Sequence, residues 1–363
     1  MSHYEERLER DLTAIRQHVF ELGERVEESL KDAVEALIAY DWDAANEVII
    51  GDMVTNRSSR SLDRACHAFV VRHAPSAGHL RFVSSVLRIS VALERLGDYA
   101  VTVARETVQM GAPLPDAVKS DVELVAHQGW AMLDQALHAF VDRDADLARS
   151  TMGQTAQVNM TFQKVYADLL AEGEQGEHPV KDLFALLGVI ASIGRVSDHA
   201  KNICEETVFT VTGETKEPKV FRILFADRRN DVASQIAEAF ARKAFPNTGR
   251  YESAGWEPAE SVPPELVEFL AGQGLDLAGL DPMPFEASPA RLADYHIVVA
   301  LDDGVRERVT EVPYHTIVLR WDLPSGEDGP ESADGQAAIS EVYRAVTERV
   351  SSLVEALRGA DAD

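Results

Sequence analysis

The sequence predicts a two-part molecule: an all-α part made of two tandem three-helix bundles, followed by an α/β part with a parallel sheet. Three observations carry that prediction. The segments Leu93-Glu94-Arg95-Leu96-Gly97-Asp98-Tyr99-Ala100 and Ile193-Gly194-Arg195-Val196-Ser197-Asp198-His199-Ala200 are versions of one another, about a hundred residues apart, so a helical unit is used twice. Apolar residues in the first part recur in steps close to alternating 4 and 3, the seam of long bundle helices. After Lys219 that period gives way to short β-branched runs alternating with helical stretches, which is the pattern of a parallel α/β sheet.

The elements follow in order. The first seam runs through Leu8, Leu12, Ile15, Val19, Leu22, Val26, Leu30, Ala33 and Leu37, and it returns as Val118, Val122, Val125, Gly129, Met132, Ala136 and Ala139. Each of these helices ends in an acidic run, Asp41-Trp42-Asp43 and Asp142-Arg143-Asp144, that can cap the next helix. A second helix over about 43–73 reaches the breaker Ala74-Pro75-Ser76-Ala77-Gly78, and a third spans about 79–109. In the second copy the breaker lies at 172–179 and the third helix spans about 180–210. The expected domains are 1–112, 113–212 and 220–360, with a charged linker, Thr212 to Lys219, closing the helical part. Strands are expected at Val220–Ala226, Tyr251–Ala254, His296–Ala300 and Thr316–Arg320, with helices at Ser234–Lys243 and near 263–273 and 335–358.

Composition narrows the function. Sixty-one acidic against 35 basic residues give a formal charge of -26, which excludes the basic footprint of a nucleic-acid binder and opposes binding to anionic membranes. Only eight of the basic residues are lysines. Cys66 and Cys204 stand alone inside helical patterns, so no disulfide framework is expected and a reducing cytoplasm fits. No basic-then-apolar leader opens the sequence, and no run reaches the roughly 18 apolar residues of a spanning helix, so a soluble cytoplasmic protein is expected.

Each doubled segment places an Arg-x-x-Asp on one helix face. Glu94 and Asp98, one turn apart, could hold a hard divalent cation through oxygen, or pair with Arg88, Arg95 or Arg105. The stretch from Arg72 to Val103, with its duplicated frame over about 1–212, resembles the PhoU family of phosphate-uptake regulators. That resemblance implies a Glu/Asp-x-x-x-Asp-x-x-x-Asn metal signature in each third helix, contact with the ATP-binding subunit of a phosphate ABC transporter or with a sensor histidine kinase, and a homodimer. The chain departs from the signature in both copies. The first reads Glu94, Asp98, Thr102 and the second Gly194, Asp198, Asn202, which leaves Glu94, Asp98, Asp198 and Asn202 as candidate ligands for a divalent metal ion.

Residues 220–360 resemble the low-molecular-weight tyrosine phosphatases and the arsenate reductases built on that fold. The supporting stretches are Ile223 to Ala239, Ser253 to Ala259, Gly274 to Leu277, and Trp321-Asp322-Leu323-Pro324. The resemblance implies a Cys-x5-Arg loop after the first strand, with a thiolate nucleophile and a guanidinium clamp on the phosphate. Here Asp227 takes the Cys position and Ala233 the Arg position, and the Asp-Pro acid falls on Ser325-Gly326. A carboxylate there repels a phosphate dianion, and the lost guanidinium removes its countercharge. The expectation is a non-enzymatic pseudo-phosphatase unit whose degenerate loop, Asp227, Arg228, Arg229, Asn230 and Ser234, either binds something else or is a solvated turn. The alternative is a phosphatase or an oxyanion-processing or oxyanion-sensing enzyme domain tethered to a regulatory helical bundle.

Overall fold

The computed structural model describes residues 3–174, 179–215, 220–275, 281–313, 316–323 and 335–359. The chain divides into two compact units, Met1–Lys216 and Glu217–Asp363.

Every regular element among the described residues of the first unit is a helix. Helix α1 (His3–Ala39) buries Leu8, Leu12, Ile15, Val19, Leu22, Val26, Leu30, Ala33 and Leu37, the seam visible in the sequence. Tyr40 turns the chain through a left-handed conformation, and the Asp41 carboxylate accepts the amides of Asp43 and Ala44 to start α2 (Trp42–His73). Helix α3 (Ala77–Gln109) completes the first bundle. The second copy repeats the device: α4 (Asp116–Asp142) ends at left-handed Arg143, and Asp144 caps α5 (Ala145–Gly153) through the amides of Asp146 and Leu147.

The second copy then differs from the single middle helix expected. It breaks into α5 and α6 (Thr155–Glu174) before α7 (Val180–Thr212). The cause lies across the bundle, where Gln135 of α4 accepts hydrogen bonds from Thr151 Oγ1 (3.1 Å) and Gln154 Nε2 (2.8 Å) while Thr155 Oγ1 donates back to the Met152 carbonyl (2.9 Å). Side chains thus hold the turn beside Gly153, a weak helix former. The two bundles meet along α3 and α7. There Arg88 donates twice to Glu206, at 2.5 and 2.6 Å, and the Tyr99 hydroxyl lies 3.3 Å from His199 Nε2.

The second unit contains β1 (Phe221–Asp227), α8 (Ala233–Ala244), β2 (Gly249–Gly255), α9 (Pro264–Gly272), α10 (Pro289–Leu292), β3 (Ile297–Ala300), α11 (Gly304–Arg308), β4 (Ile317–Arg320) and α12 (Gly335–Arg358). The four strands lie within a residue or two of the expected runs and form one parallel sheet in the order β2-β1-β3-β4. Ile223 and Phe225 of β1 face a core shared with α8, α9 and α12, and Leu224 and Ala226 face another with Leu292, Tyr295 and Val305. Burial on both faces explains why β1 reads as a continuous apolar run. The order reverses at β1, with β2 on one side and β3 on the other, and the loop after Asp227 leaves the sheet at this switch point, where ligands of such sheets generally bind.

Candidate functional site

The loop after β1 is built around Asn230. This residue is fully buried and adopts a left-handed φ of 50°, which Asn tolerates better than most side chains. Its side-chain amide donates to Ser234 Oγ (2.9 Å), its side-chain oxygen accepts the Met283 amide (2.7 Å), and its carbonyl accepts Gln235 Nε2 (3.0 Å). The loop backbone presses on the end of β2. A Cβ at Gly255 would stand 2.8 Å from the Arg228 carbonyl oxygen and the Asn230 nitrogen, so only glycine fits there.

The loop brings Asp227, Asn230 and Ser234 together. Asp227 Oδ1 accepts the Asn230 amide at 2.6 Å, and Oδ2 accepts the Ser234 amide at 3.0 Å, in the first turn of α8. A helix N-terminus and inward-pointing amides form an anion cradle, and the protein's own carboxylate occupies it. A second internal carboxylate assists: Asp302 Oδ2 accepts the Arg228 amide (2.9 Å), and Oδ1 accepts the Gly304 amide (2.9 Å). Burial pushes the Asp227 carboxyl up to about 6, outweighing the hydrogen bonds from Ser234 and Asn230 that favour the anion. Burial likewise raises Asp302.

The side chains of the two loop arginines take no part in the cradle. Arg228 pairs with Glu257 (2.6 Å) and Arg229 with Asp231 (2.6 Å), both from largely exposed positions. Asp322, beside the expected acid position, pairs with Arg320 (2.9 Å), and Ser325-Gly326 lie outside the described residues. Both cysteines belong to the helical unit, where burial pushes their thiols up to about 12. Asp302, Gln235, Glu257 and Gly255 escaped the sequence reading. The available signal was Asp302-Asp303-Gly304 directly after a buried strand, where a carboxylate beside a turn can take up loop amides.

In the helical unit the candidate ligands divide into two separate exposed pairs. Glu94 and Asp98 form no ion pair within 4 Å among the described residues, and Arg88 is engaged with Glu206 instead. The nearest chemistry to Asp98 comes from α2, where Asp52 is raised first by burial and then by the charge of Asp98. Thr102, in the signature's Asn position, turns its hydroxyl back onto the Asp98 carbonyl (2.9 Å). Gly194, in the position of the first acid, faces Phe162 of α6: a Cβ there would meet the ring at 2.7 Å. Asp198 and Asn202 are exposed, and Asn202 borders a cleft with Arg88, Arg95 and His199. His199 is buried, and that burial, followed by the charge of Arg95, lowers its pKa. No group of three His, Cys, Asp or Glu suited to a metal ion forms among the described residues, so the donor set does not fit a multinuclear centre.

The fold defines a duplicated helical bundle and, following it in the chain, an α/β unit with a parallel four-stranded sheet. The family model described as PhoU domain matches residues 19–107 and 125–207, and the low molecular weight phosphotyrosine protein phosphatase model matches 222–360. The phosphate-specific transport system accessory protein PhoU homolog of Pseudomonas aeruginosa is 30% identical over 213 residues, covering 58% of this chain and 88% of the relative. PhoU of Escherichia coli K12 is 28% identical over 204 residues, covering 56% and 85%. The crystal structure of PhoU from Pseudomonas aeruginosa superposes with a TM-score of 0.54 at 30% identity, covering 57% of this chain and 99% of that one. The chain belongs to the PhoU family. No helix among the described residues is long and apolar enough to cross a membrane.

Proposed function

We propose that this protein is a non-enzymatic regulator of phosphate uptake and phosphate signalling, with a phosphatase-type unit that has become a binding or scaffolding element. The observation that carries the catalytic half of this reading is the Asp227 carboxylate seated on the Asn230 and Ser234 amides. With a carboxylate in that seat and Ala233 where a guanidinium would clamp phosphate, the loop has neither a thiolate to attack phosphorus nor room for the dianion. The regulatory half is supported by relatives named as accessory proteins of the phosphate-specific transport system.

On this reading the cytoplasmic bundles, 1–112 and 113–212, contact the ATP-binding subunit of a phosphate ABC transporter or a sensor histidine kinase, as a monomer or homodimer, and residues 220–360 add a second surface. The long amphipathic helices suit helix-in-groove contacts. Two experiments test it. The full chain is immunoprecipitated from its native cell under phosphate-rich and phosphate-poor conditions; recovery of the transporter ATPase or the kinase supports the reading, and absence of both under either condition rejects it. Purified protein is also incubated with an aryl phosphate and divalent metals. No turnover is expected, and turnover abolished by Asp227→Ala would overturn the pseudo-enzyme assignment.

A further inference from the structure

Helix α2 carries two ordered faces. One packs into the bundle through Val48, Thr55, Leu62, Cys66 and Phe69. The opposite face is exposed along its length, and its residues recur in steps of three and four, so they form one stripe. It begins with two acids, Asp43 and Glu47. Three apolar side chains follow, Ile50, Met53 and Val54, which are 72%, 58% and 47% exposed. It continues with three bases, Arg57, Arg60 and Arg64. From Asp43 to Arg64 the stripe runs roughly 30 Å along the helix.

Internal chemistry does not account for this order. Among the described residues none of the five charged side chains forms an ion pair within 4 Å. The helix dipole favours acids in the first turn and bases in the last, but Arg57, Arg60 and Arg64 lie well before the last turn, where Arg72 and His73 stand. Duplication does not account for it either. Aligned on the Asp41 and Asp144 caps, Glu47, Arg57 and Arg64 correspond to Ser150, Met160 and Ala167, and the second copy breaks its helix between α5 and α6. Contiguous exposed apolar side chains rimmed by charge mark a contact surface.

The stripe is complementary to itself when reversed. Turned end over end about a point between Met53 and Val54, it exchanges Met53 with Val54, Ile50 with Arg57, Glu47 with Arg60 and Asp43 with Arg64. Every acid falls on a base, and the apolar centre falls on itself. A parallel arrangement would instead set each arginine against its own copy, and like charges repel.

We propose that this face of α2 binds the same face of a second copy, with the two helices antiparallel about a twofold axis between Met53 and Val54. Met53 and Val54 form the dry centre, and Glu47 and Arg60 form an ion pair twice over, once on each side of the axis, as an isologous interface requires. The proposal deepens only the homodimer arm of the function given above: its failure leaves the contacts with a transporter ATPase or a kinase untouched, because the test uses the purified chain alone.

The test is sedimentation equilibrium of the purified full chain at about 0.15 M salt, where screening limits the repulsion between two copies of charge -26. A reversible dimer is expected. Glu47→Arg and Arg60→Glu should each weaken it at least about tenfold, since each change sets like charges together on both sides of the axis. The double variant Glu47→Arg/Arg60→Glu should recover most of the loss, because it rebuilds both pairs with the signs exchanged. Val54→Asp should weaken the dimer to a similar degree or more. These side chains are exposed, so the variants keep the fold, and thermal melting checks this. A monomer at about 100 µM leaves the face to a different partner, and a dimer indifferent to the reversals, or not rescued by the double variant, means that the copies meet elsewhere; each of these results overturns the proposal.

Discussion

The Tyr99 hydroxyl lies 3.3 Å from Nε2 of His199, and these two residues are counterparts in the two copies, one hundred positions apart. A residue meeting its own counterpart marks the pseudo-twofold axis of the duplicated bundle. Other contacts around it should then occur in matched pairs. Arg88 and Glu206 have as counterparts Gly188 and Glu106, and these do face each other: a Cβ on Gly188 would lie 3.7 Å from Glu106 Oε1.

The missing half of that pair can be restored. Gly188→Arg has room at Cβ, replaces a helix-interior glycine and supplies a partner for Glu106. Stability of the helical unit should rise by about 1 kcal/mol, mostly from helix propensity, whereas Arg88→Ala should cost about 1 kcal/mol given that the Arg88 side chain is half exposed. Chemical denaturation of both variants measures this, and a destabilised Gly188→Arg would contradict the assigned symmetry.

The Phe162 ring fills the space that a side chain at Gly194 would need. Gly194→Glu should destabilise by roughly 1 to 3 kcal/mol because Phe162 occupies the space beside it. Combining it with Phe162→Ala should cost less than the sum of the two single changes. A double-mutant cycle reads this coupling directly, and simple additivity would show that Phe162 is not the obstacle.

Asp227 gives the α/β unit a defined pH response. Its pKa is raised on folding from the ordinary 3.8 to about 6, so the folded state holds the proton more tightly than the unfolded chain. Its contribution is therefore greatest below pH about 4, declines by up to roughly 3 kcal/mol as pH rises to about 6, and is constant above. Asp302 and Glu238, also raised by burial, add slopes of the same sign. Comparing denaturation midpoints of wild type and Asp227→Asn between pH 4 and 7 isolates the Asp227 share; identical slopes would exclude it.

Emptying the cradle should create an anion site. Asp227→Ala frees the Asn230 and Ser234 amides, and sulfate at ten times its Kd should stabilise the variant by about 1.4 kcal/mol. Amide chemical shifts of Asn230 and Ser234 provide the local readout. They should move with sulfate in the variant and stay fixed in the wild type; movement in both would mean that Asp227 does not hold the seat.

Much of this was legible in the sequence where one periodic pattern sufficed. The α1 seam, the Asp41 and Asp144 caps and the four strands depend on local spacing and burial, and each lies within a residue or two of its expected place. The loop showed its chemistry only in part. Asp227 could be placed, but the direction of its carboxylate depends on the Asn230 turn, and Asp302 arrives from 74 residues beyond Arg228. The break after Gly153 depends on Gln135 of another helix, and Gly194 is explained by Phe162 across the bundle. Such cross-element contacts have no period, so spacing alone does not reveal them.

The seating of Asp227 on the loop amides also has a consequence for nutrient dependence. A cradle that waits for phosphate is ordered when phosphate is plentiful and strained when it is scarce, because its converging amides then lack an acceptor. With a tethered carboxylate in place, the effective concentration of the anion is fixed by the chain itself. In this structure the Asn230 and Ser234 amides therefore have their acceptor in the chain itself, without an added anion.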